Sequence, residues 1–304
     1  MRLVIERIRA RRRSIRRSLR AVWGSPTAVV GLGLILLFGV AALIHPLLLR
    51  TVWPAKIYDP LVGFDFTMMH PADPSSAHLL GTDALGRDVL SMILAASRPA
   101  WVVALTAAIT TGVIATFIGA LGAFYRGWVD GVLSHVSDAF LLLPAPIFVL
   151  IIAEQVELSP VRFGLVFGLI NGLGAGAIVM RSQGLKVMAE PFIEAARVAG
   201  GGGLHILVRH LVPHLLPLAA LYMMLSVVGA IVAHGFAAFL GQTESLVSWG
   251  AIVFFGITSA RSFSGVVPWS ALVSASAALS LFAGAFYLVS SGLREILDPR
   301  LRAR

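Results

Sequence analysis

The chain has 304 residues, of which 58% are hydrophobic and 13% charged, with a mean hydropathy of +0.88 and a formal charge of +9. That apolar content excludes an ordinary soluble domain, and several segments reach the roughly 20 apolar residues that cross a bilayer. Cysteine is absent, which excludes disulfides, thiolate catalysis and cysteine metal clusters and leaves the redox compartment open.

The expected fold class is therefore all-α: a polytopic membrane protein of six spans with no separate soluble domain. The charge is uneven. Residues 1–20 hold nine arginines and one glutamate, while the rest of the chain holds 15 Lys/Arg against 14 Asp/Glu. Such an arm suits nucleic acid or anionic lipid. Here it stands directly before an apolar run, so positive-inside topology and lipid headgroups account for it, and no nucleic-acid partner is expected. The arm, 1–25, is read as cytoplasmic and partly helical. The run behind it is too long for a cleaved signal peptide, and no small-residue cleavage site closes it.

The first span is expected over 27–49. A polar segment rich in Pro and Asp follows over 50–77, and then HLLGTDALGRDVLSMILAASR over 78–98. In it Gly81, Thr82, Asp83, Gly86, Arg87, Asp88 and Ser91 crowd acids, an arginine and turn residues together. The acids and Arg87 are expected to cap and pin an interfacial helix leading into the next span, a structural role rather than a substrate contact. Residues 26–98 thus form one unit and 99–291 the core. The second span is expected over 101–125 and a short link over 126–135. The third span, 136–156, is interrupted by Pro144 and Pro146, which membrane helices tolerate where neighbours re-satisfy the freed carbonyls. The fourth, 163–180, repeats Gly164, Gly168, Gly172 and Gly176 at every fourth residue, a ladder that lets another helix approach closely.

Residues 190–217, EPFIEAARVAGGGGLHILVRHLVPHLLP, interrupt the apolar pattern and lie within a loop set at 184–217. They read as two short amphipathic helices joined by a glycine hinge. Pro191 suits a first turn. Phe192, Ala195, Ala196 and Ala199 share one face, with Glu194 and Arg197 elsewhere. Gly200 to Gly203 break the helix. Leu204, Leu207, Val208 and Leu211 give a second stripe, and Pro213 is expected to end it. The fifth span is expected over 218–240, an outer segment with Ser248-Trp249-Gly250 over 241–267, the sixth span over 269–290, and a tail over 292–304.

Glu194-Ala195-Ala196, Gly200 and Leu211-Val212-Pro213 resemble the EAA loop of ABC importer permeases. The Gly81-to-Ser91 pattern resembles the GTD-x-x-GRD-x-x-S signature of the C-type subunits of dipeptide and oligopeptide transporters, with nickel importers among their relatives. Ser248-Trp249-Gly250 and the tail from Gly292 to Arg302 resemble the same subgroup, so the likeness runs from arm to tail. It implies a type I importer-like fold in a prokaryotic inner membrane, with both termini cytoplasmic. It implies a homologous second permease, two ATP-binding subunits and an extracytoplasmic solute-binding protein as partners. It implies that Glu194, Ala195, Ala196, Arg197, Gly200 and Pro213 couple to the ATPase. Peptides fit the subgroup; nickel or another small solute stays open. In this topology 18 Lys/Arg fall inside and six outside, the expected sign of the bias.

The chemistry that is missing narrows the rest. A phosphate-binding loop needs a Gly-Lys pair, but Lys56 follows Ala55 and Lys186 follows Leu185. The chain is therefore expected to be a transporter subunit without its own nucleotide site, and not an enzyme. No H-E-x-x-H or G-x-S-x-G occurs, so neither a metal site nor a serine hydrolase is expected, and no cofactor is implied. His210 and His214 are spaced i, i+4 but lack a nearby carboxylate, and read as groups at the membrane interface or against a partner. Asp138, Glu154 and Glu157 lie near span ends. A secondary transporter would need paired acids or broken helices at the midplane and would leave the 190–217 loop unexplained. His234 lies deeper, in a stretch, 233–241, that departs from the subgroup's "A-E-A-x-L-S-F-L-G-L-G", with Gln242-Thr243 in place of the second glycine. It reads either as a packing residue or as part of the pathway.

Overall fold

A computed structural model describes residues 25–241, 247–259 and 265–297, with side chains through residue 294. Its helices are α1 (Pro26–Thr51), α2 (Ala55–Tyr58), α3 (Val89–Tyr125), α4 (Trp128–Leu142), α5 (Ala145–Gln155), α6 (Pro160–Met188), α7 (Pro191–Val198), α8 (Gly203–Phe239), α9 (Trp249–Ser259) and α10 (Trp269–Leu297). Five of them, α1, α3, α6, α8 and α10, are long and apolar enough to cross a membrane, and α4 with α5 makes a sixth, bent crossing. The all-α, multi-span expectation holds.

Helix α3 is the hub, packing against α1, α6 and α8. The glycine ladder of α6 lies on it. A Cβ on Gly164 would stand 2.9 Å from the Val103 carbonyl oxygen, on Gly168 2.8 Å from that of Ala107, and on Gly172 3.2 Å from that of Thr111. Further along, a Cβ on Gly176 would meet the Ala115 Cβ at 2.8 Å, and one on Gly184 the Ala123 Cβ at 2.7 Å. The pairing rises together in both helices, so α3 and α6 run parallel with their backbones nearly touching. The Thr111 hydroxyl donates across the seam to the Gly168 carbonyl at 3.3 Å. Glycine also closes α1 on α10, where a Cβ on Gly31 would lie 2.7 Å from the Ala285 carbonyl oxygen and one on Gly292 2.6 Å from the Ala28 Cβ.

An aromatic cluster locks a second set of helices. Phe38 of α1, Trp249 of α9 and Phe282 of α10 meet edge to face with centroids 5.2 to 5.5 Å apart, a favoured ring geometry. The Trp249 indole donates to the Ile93 carbonyl of α3 at 3.1 Å. Beside it a Cβ on Gly250 would sit 1.9 Å from the Gly235 carbonyl oxygen of α8. The Ser248-Trp249-Gly250 motif is thus a packing device: indole, hydrogen bond and bare backbone in one turn.

Four expectations about helix boundaries are corrected. No separate interfacial helix covers 78–98: residues 78–88 are loop, and α3 starts at Val89 and runs through Pro99 for 37 residues. The third span is not merely kinked, since α4 and α5 are bent by 80°. Leu143, restricted by Pro144, is extended at φ −78°, ψ 116°. The segment after α8, expected as an external stretch, contains the apolar helix α9, whose buried Trp249, Ala251 and Ile252 pack into the core. Pro213 ends nothing: α8 runs from Gly203 to Phe239 through both Pro213 and Pro217, taking a wider π-type turn over Leu207–Leu211 just before Pro213. A similar turn over Gly172–Gly176 interrupts α6, where Gly174 leaves helical geometry at ψ −112° beside the backbone of Phe140 and Leu141.

Gly168→Leu should force α3 and α6 apart and destabilise the protein by about 1–3 kcal/mol or more. Gly284→Ala, at a position where a Cβ meets nothing within 4 Å, should be neutral or stabilising by up to ~1 kcal/mol. Thermal unfolding of the purified variants in detergent reads both; equal midpoints would refute the ladder's role.

Candidate functional site

The two groups of residues singled out by sequence lie at opposite ends of α3. Residues 190–203 sit at its C-terminal end, where a Cβ on Gly203 would lie 3.1 Å from the Phe124 ring. Helix α7 ends in a glycine cap. The Gly201 amide donates to the Ala196 carbonyl and the Gly200 amide to the Arg197 carbonyl, both at 2.9 Å, with Gly200 left-handed at φ +83°. This is the pattern in which glycine at the first position past the helix satisfies the orphan carbonyls. The chain then turns directly into α8.

The buried face of α7 is not the one read from sequence. Ile193 is 1% exposed and Ala196 half-buried, whereas Phe192, Glu194, Ala195, Arg197, Val198 and Ala199 are exposed. In the first turns of α8 the buried residues are Ile206, Leu211 and Leu215, while Leu204, Val208, Arg209 and Pro213 are exposed and Leu207 is half-buried. Ile193 and Ile206 join Met180, Val187 and Met188 of α6 in one apolar cluster. That cluster fixes the hairpin to the bundle and leaves the Glu194–Arg197 face open. The His214 ring stacks on Phe192 with centroids 5.0 Å apart, and its Nδ1 lies 2.6 Å from the His210 carbonyl oxygen. Arg181 of α6 forms a two-pronged ion pair with Asp130 of α4, tying the bent crossing to the helix that feeds the hairpin.

At the other end, 52–88 fold into a compact cap whose last turn holds the GTD-x-x-GRD residues. One oxygen of Asp83 accepts the amides of Leu85 and Arg87 at 3.0 and 2.9 Å. Its other oxygen accepts two nitrogens of the Arg87 guanidinium at 2.8 and 2.6 Å. Gly81 and Gly86 are left-handed at φ +75° and +81°. A Cβ on Gly81 would lie 2.4 Å from the Ala72 carbonyl oxygen, so glycine is needed there twice over. The Thr82 hydroxyl receives the Ala72 amide and faces His70 Nδ1, both at 2.8 Å. Asp88 is the N-cap of α3, accepting the Ser91 amide at 2.6 Å. The expected cap role of the acids fits this geometry, and Arg87 also lies over the Phe255 ring of α9 at 5.4 Å.

Sequence reasoning missed the centre of the cap. His78 is fully buried between two carboxylates, with Nδ1 2.8 Å from Asp88 Oδ2 and Nε2 3.3 Å from Asp65 Oδ2. Hydrogen bonds from the Thr67 hydroxyl and amide, at 2.6 and 2.8 Å, hold the Asp65 carboxyl below the ordinary aspartate range, and His78 adds to this against the opposing effect of burial. The only sequence signal was a histidine beside a run of acids. Among the described residues no group of three or more His, Asp or Glu is placed to hold a metal ion.

His234, the deep residue of α8, is 4% exposed, stands edge-on to Phe163 with centroids 5.0 Å apart, and has no hydrogen-bond partner at Nε2. Its neighbours Gly235, Trp249, Gly250 and Leu279 leave only a small gap. Gln242 and Thr243, the departure read beside it, lie outside the described residues. Asp138, Glu154 and Glu157 are exposed on the bent crossing and its exit.

Asp83→Ala would leave the buried Arg87 charge and two amides without their acceptor. We expect it to destabilise the cap by about 3–5 kcal/mol, the range for breaking a buried ion pair, seen as faster amide exchange over 81–91 with α6 unaffected. Asp65 gives a pH test. Its lowered carboxyl stabilises the cap fully above pH ~4 and loses that contribution as pH falls through the lowered value. Protection of 52–88 should therefore drop below pH 4, and less steeply in Thr67→Val; identical profiles for the two would refute the assignment.

Comparison with known proteins places this architecture. The profile of the binding-protein-dependent transport system inner membrane component family matches residues 108–303. The chain is 33% identical over 296 residues to the oligopeptide transport system permease protein OppC of Mycobacterium tuberculosis, covering 95% of this chain and 94% of that protein. It is 31% identical over 242 residues to OppC of Haemophilus influenzae, covering 78% and 76%. It is 30% identical over 248 residues to the glutathione transport system permease protein GsiD of Pectobacterium atrosepticum, covering 81% and 80%. With its apolar crossings and a family match across most of its length, the chain belongs to the binding-protein-dependent transport system inner membrane components, as a multi-pass permease subunit.

Proposed function

We propose that this permease forms half of a peptide-importing pathway, paired with a homologous second permease, two ATP-binding subunits and an extracytoplasmic solute-binding protein. Peptide as the substrate class rests on the names of relatives that match over three quarters or more of both chains, two of them oligopeptide permeases and one a permease for glutathione, itself a tripeptide. The observation that carries the coupling role is the hairpin's construction. A short helix with an open charged face is held by Ile193 and Ile206, and it joins two long helices through a single left-handed glycine. Helix α8 then runs unbroken for 37 residues, about 55 Å at 1.5 Å per residue.

In this reading the hairpin end is cytoplasmic, together with both termini. The start of α1 and the end of α10 meet at Gly292 and Ala28, on the hairpin side of the bundle. Glu194 supplies a charge to the ATPase, Ala195 permits close approach, Arg197 lies on the same open face, and Gly200 makes the turn. ATPase closure displaces α7, and the long helices α6 and α8 carry that displacement across the bilayer as rigid bodies. Pro213 contributes by allowing the widened turn before it rather than by ending a helix. Energy conversion lies in the separate ATP-binding subunits, since this sequence has no Gly-Lys phosphate loop.

The test is uptake of a labelled peptide by proteoliposomes holding the full transporter and its binding protein, with ATP hydrolysis followed in parallel. Glu194→Ala removes one charge-assisted contact, worth about 1.5–3 kcal/mol, and should lower uptake roughly 10- to 100-fold. Gly200→Val should act similarly, because a β-branched residue at φ +83° is strained. Normal yield and thermal stability with lost uptake supports the coupling role. Wild-type uptake in both variants refutes it.

A further inference from the structure

Arg181 and Asp130 meet where three helices converge. Arg181 lies on the stretch of α6 that leads into the hairpin, and Asp130 lies in the first turn of α4. The guanidinium grips the carboxylate with two prongs, Nε to one oxygen and Nη2 to the other. The pair rests on a bare spot of α3: a Cβ on Gly122 would stand 3.1 Å from Asp130 Oδ1 and 3.4 Å from Arg181 Cδ. Farther from the hairpin the same two helices touch again, this time through backbone. A Cβ on Gly174 of α6 would stand 3.1 Å from the Leu141 amide nitrogen and 3.2 Å from the Phe140 carbonyl oxygen. Helix α4 is therefore held on α6 near both of its ends. Past the elbow the arrangement changes. Leu143, Pro144 and Val156 have ψ of 116°, 99° and 126°, so non-helical residues flank α5 on both sides. Of its 11 residues only Val149 is buried, and it packs on α8 and the first half of α6.

An ion pair whose side chains are 34% and 17% exposed adds little to stability. What a planar fork on a carboxylate does add is direction, because two parallel N–H bonds fix an angle as well as a distance. We propose that Asp130 and Arg181 are positioning residues for transport: their clamp makes α4 one rigid body with α6, so that a displacement of the hairpin is carried into α4 and released at the Leu143–Pro144 elbow. The proposal rests on the coupling role given above to the hairpin. Switching proteins move as packed bodies that turn on a few residues at the ends of elements. Here the elbow follows directly on the second contact with α6, and the helix beyond it is the one with a single buried side chain.

The chain has no cysteine, so spin labels can be placed in pairs on the assembled transporter without background from this subunit. Three exposed positions serve. Val136→Cys with Ser182→Cys spans α4 and the second half of α6, and Val136→Cys with Ile151→Cys spans the elbow. Both distances are read by dipolar electron paramagnetic resonance in nanodiscs, before and after trapping with ATP and vanadate. The first distance should hold, and the second should shift by on the order of 2–5 Å, the scale of helix displacements in switching proteins. Adding Asp130→Asn should let the first distance change on trapping. In proteoliposomes the same substitution should lower labelled-peptide uptake roughly 5- to 20-fold, for one charged contact at a half-exposed site, while ATP hydrolysis continues. Arg181→Lys, which keeps the charge without the fork, should give an intermediate loss. A first distance that changes as much as the second, or a second distance that stays fixed, would overturn the proposal. So would wild-type uptake in Asp130→Asn, or loss of hydrolysis in proportion to uptake. The coupling role of the hairpin fails by a different result, wild-type uptake in Glu194→Ala.

Discussion

The contact on which the rest of the structure depends is the parallel approach of α3 and α6. Apolar side chains gain little by leaving lipid for a protein interior, so helices in a bilayer associate through close packing and small residues. Gly164, Gly168 and Gly172 remove side chains on one side, and the Val103, Ala107 and Thr111 carbonyls approach on the other. Because α3 also carries α1 and α8, the position of every long helix is referred to this seam. The cap at one end and the hairpin at the other inherit their separation from the length of α3.

The two ends are stabilised by different physics. The cap is a polar structure excluded from water, built on the ion pair of Asp83 with Arg87 and on His78 hydrogen-bonded between Asp65 and Asp88. Such pairs cost desolvation and repay it only when each partner is satisfied. Asp83 meets that condition with four accepted hydrogen bonds. The hairpin has no comparable network. It is anchored by Ile193, Ile206 and Leu211 and leaves its charges in the open.

Much of this was legible in the sequence because it is written in periodicities. The glycine ladder has a four-residue repeat, the long helices are apolar runs, and the cap turn and hairpin turn are marked by glycines that adopt positive φ. Helix boundaries at prolines were less legible. Pro213 reads as punctuation, as it would in water, yet α8 runs through it after a widened turn, and α3 and α8 likewise run through Pro99 and Pro217. The buried face of α7 was misread because alanines fit either face: Ile193 took the core, while Phe192 lies exposed and stacks on the His214 ring. The pairing of Asp130 with Arg181, 51 positions apart, and the burial of His78 between two acids depend on tertiary proximity that no local pattern encodes.

The break between α4 and α5 has a consequence for where lipid can lie. The last carbonyls of a helix have no partner within it, and the amides that would follow are partly missing because Pro144 and Pro146 have none. Bare carbonyl dipoles in hydrocarbon cost several kcal/mol each. Geometry adds to this. Fifteen and eleven helical residues would extend about 39 Å if straight, but with an 80° bend their ends are only about 30 Å apart. The shortened crossing matches one bilayer core while turning its elbow, Leu143 and Pro144, into a stretch that acyl chains cannot solvate. That elbow must border protein or water, which makes it a place where the wall of the bundle opens to something other than membrane.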